Sequence, residues 1–222
     1  MDKPHLKRHY ARELDALLAR LDGPAPSLLL HVCCAPCSSA VLEQLCPHFD
    51  VSILYYNPNI SPQSEYEKRL TELLRLTEEM PLPRKPRLVS CGYDPEAFAQ
   101  AVQGLEGEPE GGARCLACYR LRLEEAARAA KDLGLDYFTT TLSISPLKNA
   151  QALNQIGEEL GVRYGVKHLP ADFKKKEGYK RSIELSRAYG LYRQDYCGCS
   201  YSRAQREREK QEKEGLTHAG EA

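Results

Sequence analysis

The stretch "HVCCAPCSS", residues 31–39, places three cysteines within five positions, directly behind the apolar run "SLLL" of residues 27–30. An apolar run followed by a helical pattern is typical of a buried strand that turns into a helix. In many α/β proteins this turn binds phosphate through glycines. Here it contains Cys33, Cys34 and Cys37 instead, so the sequence predicts thiol chemistry at this point of the fold.

The rest of the chain alternates strand and helix patterns. Strands are predicted at residues 27–32, 51–56, 87–91, 136–143 and 163–169. Helices are predicted at residues 5–21, 38–45 (opening with serine caps), 64–80, 94–102, 116–133, 147–161, 177–190 and 200–214. This alternation predicts a three-layer α/β/α fold whose mainly parallel sheet is covered on both faces. In such sheets ligands bind outside the carboxyl ends of the strands, which is where the turn at residues 33–39 falls.

One acidic segment interrupts the pattern. Residues 94–112 carry five acidic residues and no basic one, and they end in "GEPEGG". Beyond the short helix at its start, this composition predicts a flexible loop.

Composition restricts the class of protein. The chain has 222 residues with 31 basic and 31 acidic side chains, so any nucleic-acid binding must come from local patches. Neither a run of about 18 apolar residues nor the apolar core of a signal peptide is present. We therefore expect a cytoplasmic protein without membrane contact. Thiols stay reduced in that compartment, so nine cysteines indicate metal or redox chemistry.

Seven of the nine cysteines fall into three groups. The groups are Cys33, Cys34 and Cys37 in the first turn, Cys115 and Cys118 in "RCLACY", and Cys197 and Cys199 in "YCGCS". A C-x-x-C pair lets two sulfurs converge on one metal, and a helix N-terminus behind it favours thiolates. Seven soft ligands exceed the four of one zinc site and favour iron–sulfur chemistry or zinc. The other two, Cys46 and Cys91, are expected to be small buried side chains.

The pair Cys197 and Cys199 allows two interpretations. Such a C-x-C pair can close a small, strained, easily reduced disulfide, with Gly198 supplying the backbone freedom. Alternatively, both thiolates bind a second metal. The residues alone leave both alternatives open.

Six motifs together resemble a known family. They are "HVCCAPCSS", "YYNPNI", "GLEGEPEGGARCLACYRLRLEEAA", "DYFTTTLSISPLKNAQ", "DFKKKEGYKRSIELS" and "YRQDYCGC". In this order they resemble the cobalamin-independent epoxyqueuosine reductases, the QueH family, over roughly residues 27–202. The resemblance implies a nucleotide-hydrolase-like (HUP) α/β fold. It also implies the last step of queuosine biosynthesis, in which an epoxide on a modified guanosine at the tRNA wobble position is reduced to an alkene.

The resemblance also assigns residues. It implies a [4Fe–4S] cluster on Cys33, Cys34, Cys115 and Cys118, and a redox-active, disulfide-forming pair at Cys197 and Cys199 near a catalytic Cys37. A second, mononuclear iron would be held by Cys34, Cys37 and Cys199. The catalytic α/β domain would cover residues 27–202, after a helical extension at 1–26 and before a charged tail at 203–222. By position alone, the candidate proton donors are His31, Asp195, Tyr196 and Tyr201.

A basic stretch is the candidate contact with the tRNA anticodon loop. Residues 167–187 include seven basic and three acidic residues, and Phe173 and Tyr179 lie among them. Positive charge follows phosphates and aromatic rings stack on unpaired bases. The proposed contacts are Lys174, Lys175, Lys176, Lys180 and Arg181, although such a run is also typical of a solvated helix face. The loops at residues 57–59 and 146–149 are expected at the rim of the site, and the electron donor is unidentified.

Three other functions compete. A cluster-dependent tRNA sulfur transferase needs a glycine-rich phosphate loop after the first strand, and "HVCCAPCSS" lacks one. A zinc-stabilised RNA-binding module would contain zinc and have no redox activity. A plain dithiol oxidoreductase would need neither metal nor RNA.

Overall fold

The computed structural model describes residues 8–89 and 92–219, with side chains up to residue 213. Its strands are β1 (Ser27–His31), β2 (Asp50–Leu54), β3 (Arg87–Val89), β4 (Tyr137–Thr140) and β5 (Lys167–His168). Its helices are α1 (Tyr10–Leu18), α2 (Ala35–Leu45), α3 (Gln63–Glu79), α4 (Pro95–Ala101), α5 (Ala113–Asp132), α6 (Ala150–Tyr164), α7 (Gly178–Ala188) and α8 (Ser200–Ala219). A 3₁₀ turn at Thr141–Ile144 follows β4.

The five strands form one parallel sheet in the order β3-β2-β1-β4-β5. The predicted three-layer fold with a parallel sheet is confirmed. Strand order reverses between β1 and β4, which are neighbours although β2, β3 and the helices from α2 to α5 separate them along the chain. In open α/β sheets this switch point, at the carboxyl ends of the strands, is where ligands bind.

The central strand separates two apolar layers. Leu28 and Leu30 pack into one core cluster with residues of α1, α2 and α7, whereas Leu29 packs into another with α5 and α6. Successive side chains of a strand point to opposite faces, so a strand buried on both faces is apolar throughout, as "SLLL" is. Leu14 of α1 belongs to the first of these clusters.

Helix α2 begins three residues earlier than predicted. Cys34 is its N-cap residue, and Pro36 lies in its first turn. Ser38 does not cap the helix, because its Oγ donates to the Cys34 carbonyl oxygen at 2.7 Å from inside it. Cys37 therefore lies on the first turn of α2, next to the end of β1.

Other boundaries differ by a few residues. Helix α4 begins where predicted, with the Asp94 side chain accepting from the Ala97 backbone N–H at 3.1 Å. Helix α5 begins at Ala113 rather than residue 116, which puts Cys115 and Cys118 on its first two turns. The predicted strand at 136–143 ends at Thr140, because its hydroxyl accepts from Leu142 N–H and starts the 3₁₀ turn. Residues 5–7 of the predicted first helix and residues 90–91 of the third strand, including Cys91, lie outside the described residues.

None of the described helices combines the length and the apolar character needed to cross a lipid bilayer.

Candidate functional site

The switch point between β1 and β4 opens into a cavity of about 220 Å³, which we call the outer cavity. Its walls come from the turn after β1, the segment after β4, the start of α7 and the loop before α8. The residues that define it are Cys33, Cys34, Cys37, Arg122, Lys148 and Cys197. The predicted position of the site, outside the carboxyl ends of the strands, is thus occupied by a thiol-lined cavity.

Three thiols converge at the base of the outer cavity. The sulfurs of Cys33, Cys34 and Cys37 lie within 4.8 Å of one another, and those of Cys33 and Cys34 are 3.8 Å apart. Cys33 and Cys34 are buried and Cys37 is half-buried. Three soft sulfur ligands at this spacing can hold a soft metal ion.

Hydrogen bonding within the triad makes one thiol much more acidic than the other two. Contact with Cys34, and then with Cys37, holds the pKa of Cys33 well below its ordinary value, although burial opposes this. The same contact with Cys33 raises the pKa of Cys34 and of Cys37. The contacts within the triad therefore favour the thiolate form of Cys33, the form in which cysteine binds a metal ion.

A second group of thiols surrounds a smaller inner cavity. Its walls include Cys115, Cys118, Cys197, Cys199, Asn59 and Lys148. Cys118 and Cys199 pack together against Phe98 of α4. Since Cys197 and Lys148 line both cavities, the two cavities adjoin.

Asn59 is a buried polar residue of the inner cavity whose amide is unsatisfied. Its side chain is 2 % exposed, and neither its Nδ2 nor its Oδ1 has a hydrogen-bond partner among the described residues. Leaving a buried amide unpaired costs about 1–3 kcal/mol, so such a group in a native fold calls for a missing partner. The inner cavity is therefore polar, thiol-rich and incompletely satisfied.

Arg122 links the three cysteine segments. It is 1 % exposed and donates from Nη2 to Asn57 Oδ1 at 2.5 Å, while its Nε lies 3.3 Å from His31 Nε2. Burial opposes its charge, but the sulfurs of Cys118, Cys33 and Cys197 raise the pKa of Arg122. One guanidinium thus interacts with a sulfur from each segment.

Lys148 supplies a second buried cation between the cavities. Its Nζ donates to Cys197 Sγ at 3.0 Å and lies 3.6 Å from Glu110. Despite the opposing effect of burial, the Cys197 sulfur raises the pKa of Lys148. Contact with Cys199, and more weakly the charge of Lys148, in turn lowers the pKa of Cys197. At the junction of the cavities, an ammonium group thus donates to a cysteine sulfur and favours its thiolate form.

The disulfide suggested for Cys197 and Cys199 is not found. All eight cysteines that the structure describes are free thiols. The two sulfurs contact each other as thiols, and each has a further partner: Lys148 Nζ donates to Cys197, and the Ser202 backbone N–H donates to Cys199 at 3.4 Å. Gly198 does provide the expected backbone freedom, with φ +114° and no room for a Cβ beside Arg69.

The cysteines assigned by resemblance are divided between the two cavities. Cys33 and Cys34 lie in the triad with Cys37, and Cys115 and Cys118 line the inner cavity. Of the suggested second-iron ligands, Cys34 and Cys37 lie together, whereas Cys199 packs beside Cys118. Cys46 is fully buried in the apolar core, as predicted.

The candidate proton donors differ in position. Burial, and then the charge of Arg122, lowers the pKa of His31 to about 3, so its imidazole is neutral at pH 7. A hydrogen bond from Lys210 lowers the pKa of Asp195, which is a carboxylate at that pH. Asp195 and Tyr196 line the outer cavity. Tyr201 lies under the Arg114 guanidinium, 4.4 Å from it.

The predicted tRNA contacts lie around the start of α7, and most of them are in ion pairs. The pairs are Lys174–Asp172, Lys176–Asp15, Lys180–Glu177 and Arg181–Glu43. The last three pairs are exposed and contribute little to stability, so phosphates can replace their carboxylates at small cost, whereas Lys174 and Asp172 are largely buried. The patch remains a prediction.

Only one of the two predicted rim loops lies at the outer cavity. Leu147 and Lys148 of the loop at 146–149 do line the outer cavity. Asn57 and Asn59 are buried instead, and Asn57 Nδ2 donates to the Val32 carbonyl oxygen at 2.8 Å. The loop at 57–59 therefore holds the backbone directly before Cys33, at the start of the thiol-bearing turn.

Sequence reasoning missed several polar residues of the site: Arg122, Lys148 as an ion-pair partner, Glu110, Asn59 and Gln194. A signal existed for Arg122, because it follows Cys118 by four positions and so lies on the same face of a helix. Glu110 lies in the acidic segment that was predicted to be a flexible loop. Its side chain is 12 % exposed, and it lines both cavities.

Comparison with known proteins gives a consistent result. The model of the family "Epoxyqueuosine reductase QueH" matches residues 28–205. A protein of that name from Streptococcus pyogenes serotype M1 is 40% identical over 203 residues, covering 90% of this chain and 80% of that protein. One from Staphylococcus epidermidis is 43% identical (82% of this chain, 78% of that protein), and one from Thermotoga maritima is 36% identical (81% and 92%).

Proposed function

The chain belongs to the epoxyqueuosine reductase QueH family, and we propose that it reduces epoxyqueuosine to queuosine in tRNA at an iron–sulfur site built from its own cysteines. The reaction consumes two electrons and two protons, releases the epoxide oxygen as water and leaves an alkene. The protein is an oxidoreductase, and its electrons come from a donor that is not identified. The observation that carries the proposal is that three distant cysteine segments line two adjoining cavities, with Arg122 in the wall of the outer one.

The residues present fit an iron–sulfur group. The donor set is entirely soft sulfur, and one triad thiol is already acidic. The unsatisfied Asn59 amide lies where a metal-bound sulfur would give it an acceptor. We assign Cys33, Cys34, Cys115 and Cys118 as ligands of a [4Fe–4S] cluster.

When bound, such a cluster supplies low-potential electrons one at a time. A second, mononuclear iron is proposed at Cys34 and Cys37, with Cys199 as its third ligand. The close approach of Cys34 and Cys37 supports two of these ligands. Cys37, Cys197 and Cys199 are the thiols that we expect nearest to the reacting ring.

The protein's own side chains have three tasks in this proposal. Burial of Cys33 and Cys34 at the base of the outer cavity limits the access of solvent to the reducing centre. The Lys148 ammonium group, held by Cys197 and Glu110, places a positive charge at the junction of the cavities. A preorganised charge there stabilises the oxygen as the C–O bond breaks and negative charge develops on it.

The proposed setting is the cytoplasm, where tRNA and reduced thiols occur together. The free state of all eight described cysteines supports it. In this proposal the basic residues around α7 contact the anticodon loop, with Lys174, Lys175, Lys176, Lys180 and Arg181 as the candidates.

The test is reconstitution with iron and sulfide without air, followed by mass analysis of the nucleosides of epoxyqueuosine-containing tRNA after addition of a reductant. Wild type should hold several irons per chain and convert the epoxide to the alkene. Cys118→Ser should lose both iron and turnover while still binding tRNA. Cys46→Ala is the matched control, because Cys46 is an equally buried cysteine remote from the cavities, and it should keep iron and activity.

Two results would contradict the proposal. Incorporation of zinc alone would favour a structural RNA-binding module. Full turnover by Cys118→Ser would show that Cys118 is not a ligand of the cluster.

A further inference from the structure

The outer cavity changes character from its base to its mouth. Its base is made by the buried thiols of Cys33 and Cys34, which are 9 % and 4 % exposed. At its mouth stand two large apolar side chains in contact with solvent, Leu147 at 54 % and Tyr179 at 36 % exposure. Apolar and aromatic side chains around a concave opening are typical of ligand-binding sites.

Hydrogen bonds fix the backbone of the helix turn that carries Tyr179. It lies in the first turn of α7, where its carbonyl oxygen accepts from Ser182 Oγ at 2.7 Å. Arg193 stands beside this turn, with Nη1 2.9 Å from Ser186 Oγ and 3.5 Å from the Ser182 carbonyl oxygen. The mouth therefore presents an aromatic ring and a hydrogen-bonded guanidinium.

Gln194 adds a polar group within the cavity wall. Its Nε2 is buried but has no hydrogen-bond partner among the described residues. A buried N–H₂ donor without an acceptor is costly in the free protein, and that cost disappears if a ligand brings an acceptor.

We infer that the outer cavity is a nucleobase pocket, which receives the wobble nucleotide of tRNA in an extruded conformation. This inference rests on the proposed function and specifies how its site takes the substrate. The reactive ring is attached to the base, so it can reach the thiols at the base of the cavity only if the nucleobase follows it inward. Enzymes that act on a base extrude it in this way and hold it by stacking and by hydrogen bonds to its edge.

Each wall then has a defined role. Tyr179 stacks on the inserted nucleobase or on its exposed neighbour, and Leu147 adds apolar contact at the same opening. Gln194 Nε2 donates to an acceptor of the inserted modified nucleoside. Arg193 lies at the mouth, where the phosphates of the loop pass.

The test compares two anticodon stem-loop RNAs that differ only at the wobble position, one with epoxyqueuosine and one with guanosine. Equilibrium binding is measured by fluorescence anisotropy on the reconstituted protein without reductant, so no turnover intervenes. Wild type should prefer the modified RNA. Tyr179→Ala should weaken binding of the modified RNA about tenfold, while Tyr179→Phe keeps it, because a base stacks on either ring. Gln194→Ala should reduce the preference for the modified RNA by several-fold, up to about tenfold.

The matched controls are Tyr164→Ala on α6 and Gln100→Ala on α4, which lie away from the cavity. Neither should change the preference. Equal binding of both RNAs by wild type would overturn the pocket assignment. So would wild-type affinity of Tyr179→Ala for the modified RNA together with an unchanged preference in Gln194→Ala. The proposed function is tested separately: it is wrong if the wild-type protein does not reduce the epoxide, whichever RNA it prefers to bind.

Discussion

Arg122 is the largest fully buried side chain among the residues that the structure describes, and it is charged. Burying an unpaired charge costs several kcal/mol, so this residue persists only because its surroundings compensate for that cost. The compensation comes from Asn57, which also holds the carbonyl oxygen just before the first two cysteines, and from the sulfurs themselves. Arg122 therefore positions the thiol-bearing turn relative to α5.

The variant Arg122→Gln tests this role. We expect the affinity for ferrous iron to fall about 10- to 100-fold, as is typical when a residue that supports metal ligands is lost. The free energy of unfolding should fall by about 3 kcal/mol, because buried partners lose their counter-charge. Anaerobic iron titration and denaturant unfolding measure the two effects.

Arg120→Gln is the control for this variant. Arg120 lies on the same helix but is exposed and pairs with Glu159 on the surface. Its loss should leave iron binding unchanged and cost less than about 1 kcal/mol. Equal iron affinity in wild type and Arg122→Gln would show that the guanidinium does not support the metal ligands.

At the scale of elements, two helix starts determine the site. Helix α2 begins at Ala35 and helix α5 at Ala113, and each carries cysteines on its first turn or next to it. Both starts lie at the carboxyl edge of the sheet, where the positive ends of helices favour thiolates. The sequence predicted both helices but placed both starts three residues late. For α2, serine residues at 38 and 39 suggest caps, whereas their hydroxyls bond to carbonyl oxygens at and within the helix start.

The contact between α6 and β5 makes a separate prediction about stability. A Cβ at Gly157 would lie 2.3 Å from the ring of His168, which also packs edge-on against Phe138 of β4. We expect Gly157→Ala to lower the free energy of unfolding by about 1–3 kcal/mol, because the overpacked contact must push the sheet edge outward. Thermal or denaturant unfolding of the metal-free chain measures this effect.

Gly107→Ala is the matched control, because no described atom lies within 4 Å of the position that an added Cβ would take, and its φ is not positive. That variant should change stability by less than about 1 kcal/mol. If Gly157→Ala unfolds at the wild-type midpoint, the packing described for α6 against β5 is wrong.

Over the whole molecule, net charge is zero, so attraction to RNA has to come from local charge. The basic residues around the start of α7 lie close to the mouth of the outer cavity, since Tyr179 on the same turn lines it. Their carboxylate partners lie on α1, on α2 and within the same stretch. Binding of RNA would therefore exchange surface ion pairs for phosphate contacts.

The double variant Lys175→Ala with Lys180→Ala measures the importance of this patch. We expect weaker tRNA binding and a salt dependence whose slope, log K against log salt, is reduced by about 1–2, as the loss of two phosphate contacts implies. Epoxide reduction at saturating tRNA should persist, because neither lysine lines the outer cavity.

Lys131→Ala serves as the comparison, because Lys131 lies in the last turn of α5, at the opposite end of that helix from its cysteines. It should bind tRNA with the wild-type salt slope. An unchanged slope in the double variant would show that tRNA binds at a surface other than the basic residues around α7.

The sequence alone determined the class of fold and the kind of chemistry. The periodicity of apolar residues along a segment indicates whether the segment is buried on one face or on two. The alternation of strands and helices was therefore predictable from "SLLL" onward. The grouping of cysteines likewise predicted a metal-binding site without any coordinates, and three of these cysteines do lie close enough together to hold a metal ion.

The tertiary structure decided which sulfurs are neighbours and which charges accompany them. Cys33 and Cys118 are separated along the chain by β2, β3 and the helices between them, so their relation depends on how α5 packs against β1. The burial of Arg122, the unsatisfied amide of Asn59 and the absence of a Cys197–Cys199 disulfide among the described residues follow from the same packing. Local sequence cannot encode such contacts individually, because each depends on the simultaneous placement of segments that are far apart along the chain.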